Sequence, residues 1–246
     1  MSMISRKVFL AGWLAMTFAF GASTSWSAEP RPFVARYKAQ FYGMSGGILQ
    51  FTLRRGDGPD QYIYESRAEP SFLGSFMVSD AARERSTMTV TANGVRPLTF
   101  FSDDGKKGDE HDSDIRFDWT QNRLTGRSEG KDFNEPLPER IQDHLSIQIA
   151  VIEGLLGGAE LGEFSLIDGG EIKRYTYSKE GAATVKFKGK TLEAVIVRSQ
   201  RSDSPGGRIN RYWHAPELGS IPVRAERSRE GKVDLIMELV DVKFSE

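Results

Sequence analysis

Apolar and polar side chains alternate with a period of two along most of this chain, and the alternation constrains the fold more than any other feature. Successive side chains of a β-strand point to opposite faces, so each alternating stretch has one face to bury and one that meets water. The pattern is typical of antiparallel sheets, because parallel strands are covered on both faces. The clearest stretches have their apolar residues at Phe33, Ala35, Tyr37, Ala39 and Phe41, at Ile115, Phe117 and Trp119, and at Val233, Leu235, Met237 and Leu239.

Turn-forming pairs separate these stretches. Asn93-Gly94 and Glu230-Gly231 are examples, since asparagine and glycine tolerate the positive φ of tight hairpin turns. Spacing of this kind predicts about ten to twelve strands. We therefore expect a mainly β protein, with one curved, largely antiparallel sheet or a partly closed barrel.

One segment, residues 138–156, has a helical period. Pro138 suits the first turn of a helix, where its missing N–H costs nothing, and Gly157 and Gly158 can end it. The apolar residues are three or four positions apart, at Ile141, Leu145, Ile149, Ile152 and Leu156. Such a stripe must be buried, so this helix is predicted to pack across the sheet.

The N-terminus has the features of an export signal. A positive pair, Arg6 and Lys7, precedes an uncharged apolar stretch that is shorter than the roughly 20 residues needed to cross a bilayer. Small residues follow, and cleavage is expected after Ser27, with cleavage after Ala28 as the alternative.

The predicted organisation is therefore a cleaved signal peptide over residues 1–27 and a single antiparallel β domain over residues 28–246. The expected location is a bacterial periplasm. No long polar linker divides the second range, which is why we expect one domain.

Composition excludes several classes of protein. The chain has 246 residues, no cysteine and a formal net charge of -1. Without cysteine it cannot form disulfides, thiolate metal sites or a thiol nucleophile, and it cannot be acylated as a lipoprotein. Its charge is unlike the basic excess of nucleic-acid binders. We expect no cofactor, no nucleic-acid partner and no stable membrane span after signal cleavage.

Several short motifs together resemble one family. They are Phe33-Val34-Ala35-Arg36-Tyr37, Gly46-Gly47, Ile115-Arg116-Phe117-Asp118-Trp119, Leu137-Pro138, Asp143-His144-Leu145-Ser146, Tyr212-Trp213-His214-Ala215-Pro216-Glu217-Leu218 and Ile221-Pro222-Val223-Arg224. In this order the chain resembles the exported bacterial family filed as domain of unknown function 3108, which implies a periplasmic protein with no assigned catalytic activity. Its ending is more loosely similar to LolA- and LolB-like lipoprotein carriers, a likeness of fold that does not transfer function.

Reactive residues do not form a recognisable active site. Residues 43–47 match the G-x-S-x-G pattern of serine hydrolases, but a strand follows Ser45 where the motif needs a helix. The three histidines, His111, His144 and His214, lack the i, i+4 spacing of a helical zinc site. We therefore expect no catalytic and no metal-binding residue, with an unrecognised hydrolase as the open alternative.

Two charged features have structural explanations. The acidic run 103–114 lacks the order of an EF-hand loop and contains Lys106 and Lys107, so a solvated hairpin is expected. Asp143 lies near the predicted start of the helix, where the helix dipole favours a carboxylate. We expect it to stabilise the helix start or to pair with an arginine.

Aromatic residues recur at inward positions of the predicted strands. An ordinary sheet core explains them, and so does a cavity for a greasy ligand, because curved antiparallel sheets can enclose one. Trp213 is expected at the rim, where its N–H can meet water or a head group. The candidate ligand-binding residues are Phe72, Phe76 and Met77 in an apolar, movable wall, with Tyr212, Trp213 and His214 opposite them.

Two functions are consistent with these patterns. The first is a non-catalytic protein that binds or carries a lipophilic molecule of the cell envelope in a curved β-sheet cavity. The second is a structural or assembly factor that binds other envelope proteins through a sheet edge or through an arginine-rich face.

Overall fold

Fifteen strands and one α-helix account for most of the residues that the computed structural model describes, which are 30–72, 74–76, 79–204 and 206–245. The predicted signal peptide and Met77 lie outside these residues. Two short 3-10 turns cover Gly74–Phe76 and Pro216–Leu218. The other elements are β1 Phe33–Phe41, β2 Met44–Arg55, β3 Gln61–Pro70, β4 Arg83–Thr91, β5 Gly94–Asp103, β6 Ser113–Asp118, β7 Arg123–Ser128, β8 Lys131–Pro136, β9 Ile141–Gln142, α1 Ser146–Leu156, β10 Gly162–Ile167, β11 Ile172–Phe187, β12 Lys190–Arg201, β13 Ile209–Ala215, β14 Ile221–Arg229 and β15 Lys232–Phe244.

All the strands belong to one sheet, as the alternation predicts. Its order is β8-β7-β6-β5-β4-β3-β2-β1-β15-β14-β13-β12-β11-β10-β9. Neighbours are antiparallel except β9 and β10, which pair in parallel through two residues. The first and last strands, β1 and β15, pair in the middle of the sheet and join its two halves.

The sheet is strongly curved. Lys131, at the start of edge strand β8, forms a 3.0 Å ion pair with Glu171, which lies just after β10 near the other edge. Bulges such as the one between Arg36 and Tyr37 in β1 bend the strands and increase their twist. The result is a mainly β arrangement, an open curved sheet with one helix against it.

The core follows the alternation along each strand. Phe33, Ala35, Tyr37 and Ala39 of β1 are buried, and the residues between them are more exposed. In α1 the buried apolar residues include Ile149 and Ile152. The helix packs mainly on β4 and β5, which places it inside the curve of the sheet.

The helix begins later than the apolar spacing predicts. It covers Ser146–Leu156 instead of residues 138–156, and Ile141 belongs to β9. The Asp143 carboxylate accepts hydrogen bonds from the backbone N–H groups of Leu145 and Ser146, both at 2.8 Å. This turn satisfies the free N–H groups that precede a helix and sets its starting point.

The described part of the chain has no helix that is both long enough and apolar enough to cross a membrane.

Candidate functional site

A cavity of about 310 Å³ lies between α1 and the inner face of the curved sheet. That volume is at the lower end of the range for small-molecule sites, roughly 300–1,000 Å³. Strands from both halves of the sheet contribute to its wall. The aromatic lining residues are Tyr37, Phe51, Tyr175, Tyr177 and Tyr212, and the aliphatic ones include Ile147, Val151, Leu166, Leu235 and Met237.

Strand β13 determines which predicted residues reach this cavity. Asn210, Tyr212 and His214 share one parity and line it. Trp213 has the opposite parity and is not part of the wall. The Arg224 guanidinium lies over its ring at 5.8 Å, on the outer side of the strand. The expected place for Trp213 at the rim is therefore not the one it occupies, because the face it shares with Arg211 points away from the cavity.

His214 gives the cavity wall a buried hydrogen-bond acceptor. Its Nδ1 lies 2.7 Å from the carbonyl oxygen of Ser220, which can only accept, so Nδ1 donates. Burial lowers the pKa of His214 to about 4, and the ring is therefore neutral at neutral pH. Nε2 then carries a lone pair, and it has no hydrogen-bond partner among the described residues.

Ser199 places a second buried polar group on the wall. Its hydroxyl has no partner of good hydrogen-bond geometry among the residues described. Burial raises the pKa of the nearby Tyr177, and the Ser199 hydroxyl offsets part of that rise. An unsatisfied buried polar group costs about 1–3 kcal/mol, so a polar ligand atom or water would be favoured here.

A charged cluster borders the cavity beside the helix start. His144 lies between two carboxylates, with Nδ1 3.8 Å from Glu84 and Nε2 3.7 Å from Asp168. Burial opposes the charged form of the ring, but the two carboxylates outweigh it and raise the pKa of His144 to about 10. The pKa of Glu84 is lowered because His144 and Ser66 outweigh the effect of burial.

Asp168 connects this cluster to the aromatic wall. His144 lowers the pKa of Asp168, against burial, and hydrogen bonding by the Tyr175 hydroxyl lowers it further. Lys173 is 3.5 Å from the same carboxylate. Glu84 lies on β4, and Asp168 lies just after β10. His144 therefore forms charged contacts with two distant parts of the sheet.

Two arginines line the cavity, and they differ in their partners. Arg227 pairs with the buried Asp234 at 2.7 Å. Arg208 is exposed, just before β13, and has no carboxylate partner among the residues that the structure covers. It is therefore a cation at the wall that remains available to an anionic group.

The apolar segment 72–78 is described only in part. Phe72 is 81% exposed, and Phe76 ends the 3-10 turn Gly74–Phe76. Met77 lies outside the described residues. Phe72 is not in the wall of the cavity, and the structure brings Tyr212 and His214 together on that wall without it.

Sequence reasoning missed several members of the site. Tyr175 and Tyr177 are among the aromatic residues at inward positions of the predicted strands, but no local pattern indicated that His144, Asp168 or Arg208 would line a cavity. Only the pairing of distant strands brings these three to one wall. The alternation in β13 did indicate that Tyr212 and His214 share a face.

The other candidates for chemistry have ordinary surroundings. Ser45 lies within strand β2, and no helix follows it as a nucleophile elbow requires. Three partly exposed carboxylates, of Asp103, Asp104 and Asp112, lie within 4.8 Å of one another. Lys106 approaches Asp104 at 3.5 Å, which matches a solvated charged loop.

The fold and the site together define a class: an open antiparallel β-sheet curved around one helix, with a largely aromatic cavity between them. Within this class, the chain belongs to the family described as "Protein of unknown function (DUF3108)", whose model matches residues 36–236. This confirms the family resemblance noted in the sequence. No curated protein matches the sequence.

One solved structure supports the fold at low sequence identity, and others resemble the chain more weakly. A β-barrel-like protein of the DUF1849 domain from Brucella abortus has a TM-score of 0.53 and 12% identity, covering 89% of this chain and 99% of that one. MucB has a TM-score of 0.36 and 9% identity, covering 89% and 55%. An exported protein with a YmcC-like fold from Bacteroides fragilis has a TM-score of 0.35 and 10% identity, covering 87% and 97%. Of these three, the first is similar enough to support the fold.

Proposed function

We propose that this protein is a non-catalytic carrier, which binds an amphiphilic molecule of the cell envelope in the cavity between α1 and the sheet. The observation that supports it most is the lining: aromatic and aliphatic side chains enclose the space, with a few polar atoms among them. Small-molecule sites commonly combine an apolar wall with a few polar groups that fix orientation. The features of the export signal support a periplasmic location.

The polar groups suggest how the ligand is oriented. Ser199 and Asn210 pair across β12 and β13, and His214 lies four residues beyond Asn210 along β13. Four residues of a strand span roughly 13 Å, so the lining is polar at two separated places with apolar wall between them. An acyl chain with an anionic head group at Arg208 fits this arrangement.

The alternative of an assembly factor has less support from the sheet edges. Edge strand β8 is exposed apart from Phe133 and carries Lys131, Asp132, Glu135 and Pro136. Charged residues and proline protect an edge from pairing with another chain. The other edge, β9, has two residues, both buried, which leaves little strand to extend.

A cavity-filling variant tests the carrier proposal. Ala225 lines the cavity, so Ala225→Trp is expected to abolish binding of dansyl-labelled undecanoic acid, measured by fluorescence titration. Ala182→Trp is the matched control, because Ala182 is an exposed alanine in the second half of β11, outside the cavity wall. If Ala225→Trp lowers the melting temperature, Leu235→Trp replaces it.

Native mass spectrometry of protein purified from periplasm complements the titration. A co-purifying lipid that Ala225→Trp removes would support the proposal. A wild type that carries no lipid and does not bind the probe would overturn it, and a stoichiometric protein partner would favour the assembly factor.

A further inference from the structure

Large hydrophobic side chains are exposed mainly at one end of the sheet. Tyr42 is 72% exposed, Met44 53%, Phe72 81% and Val233 44%. We call these four residues the apolar tip. Contiguous exposed apolar surface of this kind commonly marks an interaction site.

Strand pairing holds the apolar tip together. Tyr42 is in the turn between β1 and β2, and its backbone N–H donates to the carbonyl of Asp234, next to Val233, at 3.0 Å. Phe72 follows Ser71, whose hydroxyl donates to the carbonyl of Ser45 at 2.6 Å. Since Ser45 follows Met44, the four exposed side chains come from adjoining loops and strand ends on one side of the sheet.

The backbone at Tyr42 gives no local reason for an aromatic residue. Its φ is 48° and that of Gly43 is 78°. Two central residues with positive φ form the hairpin turn that prefers Asn-Gly, and a bulky residue there is uncommon. Tyr42 is neither buried nor suited to its turn, which is consistent with selection for what its ring contacts outside the protein.

Basic side chains accompany the tip. Arg229 and Lys232 flank the β14–β15 turn, both are exposed, and neither has an ion-pair partner among the described residues. Lys232 directly precedes Val233 of the tip. Glu230 is the acidic residue of that turn, so the hairpin carries a net positive charge.

The tip adjoins the cavity. Leu235 lines the cavity and pairs with Phe41, the residue before Tyr42. Arg227, two residues before Arg229, lines it as well. One end of the sheet therefore combines exposed aromatic groups, free cations and one end of the cavity lining.

We propose that the apolar tip docks onto the surface of a lipid bilayer that contains anionic lipids, with Tyr42, Met44, Phe72 and Val233 in the interfacial region and Arg229 and Lys232 against the head groups. Tyrosine and other aromatic residues are enriched at membrane interfaces. Each lysine or arginine near an anionic surface adds attraction. Docking is independent of the carrier function, and only its purpose, exchange of ligand with the bilayer, rests on the proposed function.

The test is flotation of the mature protein with phosphatidylcholine vesicles that contain or lack phosphatidylglycerol. Wild type is expected to float with the anionic vesicles. Tyr42→Asn, which provides the residue the turn prefers, is expected to weaken binding about tenfold without lowering the melting temperature. Val240→Ser, on an exposed valine in the other half of β15, is the control and should bind like wild type.

Charge is tested with a matched pair. Arg229→Glu with Lys232→Glu should abolish flotation, whereas Lys186→Glu with Lys190→Glu, at the hairpin on the opposite end of the sheet, should not. Wild type that stays unbound, or a Tyr42→Asn variant that floats like wild type, would overturn the proposal.

A third measurement separates this proposal from the carrier function. Ala225→Trp should lose the fatty-acid probe and keep vesicle binding, whereas Tyr42→Asn should do the reverse. A wild type that binds vesicles but not the probe would therefore contradict only the carrier function. Binding of a protein in place of vesicles would contradict only the docking proposal.

Discussion

The Ser86 hydroxyl donates a 2.7 Å hydrogen bond to the carboxylate of Asp143, and both residues are completely buried. Ser86 lies on β4 and Asp143 lies just before α1, so the bond fixes the start of the helix to the sheet. The same carboxylate accepts the N–H groups of Leu145 and Ser146, and the Ser146 hydroxyl accepts the N–H of Asp143 at 2.9 Å. This reciprocal pair has the hydrogen-bond pattern of a capping box, and it begins three residues before the first residue of α1.

Removing the Asp143 carboxylate should destabilise the protein strongly. Asp143→Ala leaves one buried hydroxyl and two backbone N–H groups without an acceptor, and we expect a loss of about 3 kcal/mol in the free energy of unfolding. Asp143→Asn keeps an acceptor for the backbone and should cost less. Urea denaturation measures both variants. An Ala variant as stable as wild type would show that these hydrogen bonds contribute no net stability.

The His144 cluster predicts a pH-dependent contribution to stability. Because the pKa of His144 is raised to about 10 in the folded protein, the contribution is complete below the unfolded value of about 6.5 and is lost as pH rises through 10. Glu84 and Asp168 have lowered pKa values, so their contributions are present above about pH 4 and are lost on further acidification.

The variant His144→Gln should therefore be less stable than wild type, with the largest difference between about pH 4 and 6.5 and almost none above pH 10. The His144 side chain is 40% exposed, so added salt should reduce the difference. Urea denaturation across this pH range tests it. A difference that does not vary with pH would mean that His144 acts only through packing.

The sequence was sufficient for the sheet but not for the start of the helix. Phe33, Ala35 and Tyr37 are buried as their alternation predicts, since a strand's period is a local property. The helical spacing of Ile141 and Leu145 was misleading. Ile141 is buried because it lies on a short parallel strand beside Ser165, and that pairing depends on a distant segment.

For the candidate site, the sequence predicted only which residues of β13 share a face. Alternation separates Trp213 from Tyr212 and His214, yet it does not say which of the two faces points inward. The mixed character of the Arg211 and Trp213 face suggested a rim, but Arg211 pairs with Glu180 outside the cavity at 2.5 Å. The direction of a face depends on the curvature of the whole sheet, which no short segment encodes.

The two faces of β13 should respond differently to truncation. Tyr212→Ala removes a ring from the cavity wall and is expected to weaken binding of the dansyl fatty acid about tenfold. Trp213→Ala removes a ring that lies under Arg224 and should leave probe binding within about twofold of wild type. Fluorescence titration compares the two at matched stability. Weaker binding in Trp213→Ala alone would place the ligand on the outer face.

His214 should make the protein less stable as pH falls. Its pKa is lowered from 6.5 to about 4 on folding because the ring is buried, so the unfolded chain binds more protons between these values. Stability should therefore rise with pH from 4 to 6.5 and stay constant above.

His214→Gln removes this titration, and the difference between wild type and variant, measured by urea denaturation, should grow with pH across that window. The stability that depends on His214 rises with pH, whereas the stability that His144 contributes declines above pH 6.5. The two histidines can therefore be separated in one set of measurements. If the difference does not change between pH 4 and 6.5, the ring is not held neutral by burial, and Nε2 is not the free acceptor that we assign to the cavity wall.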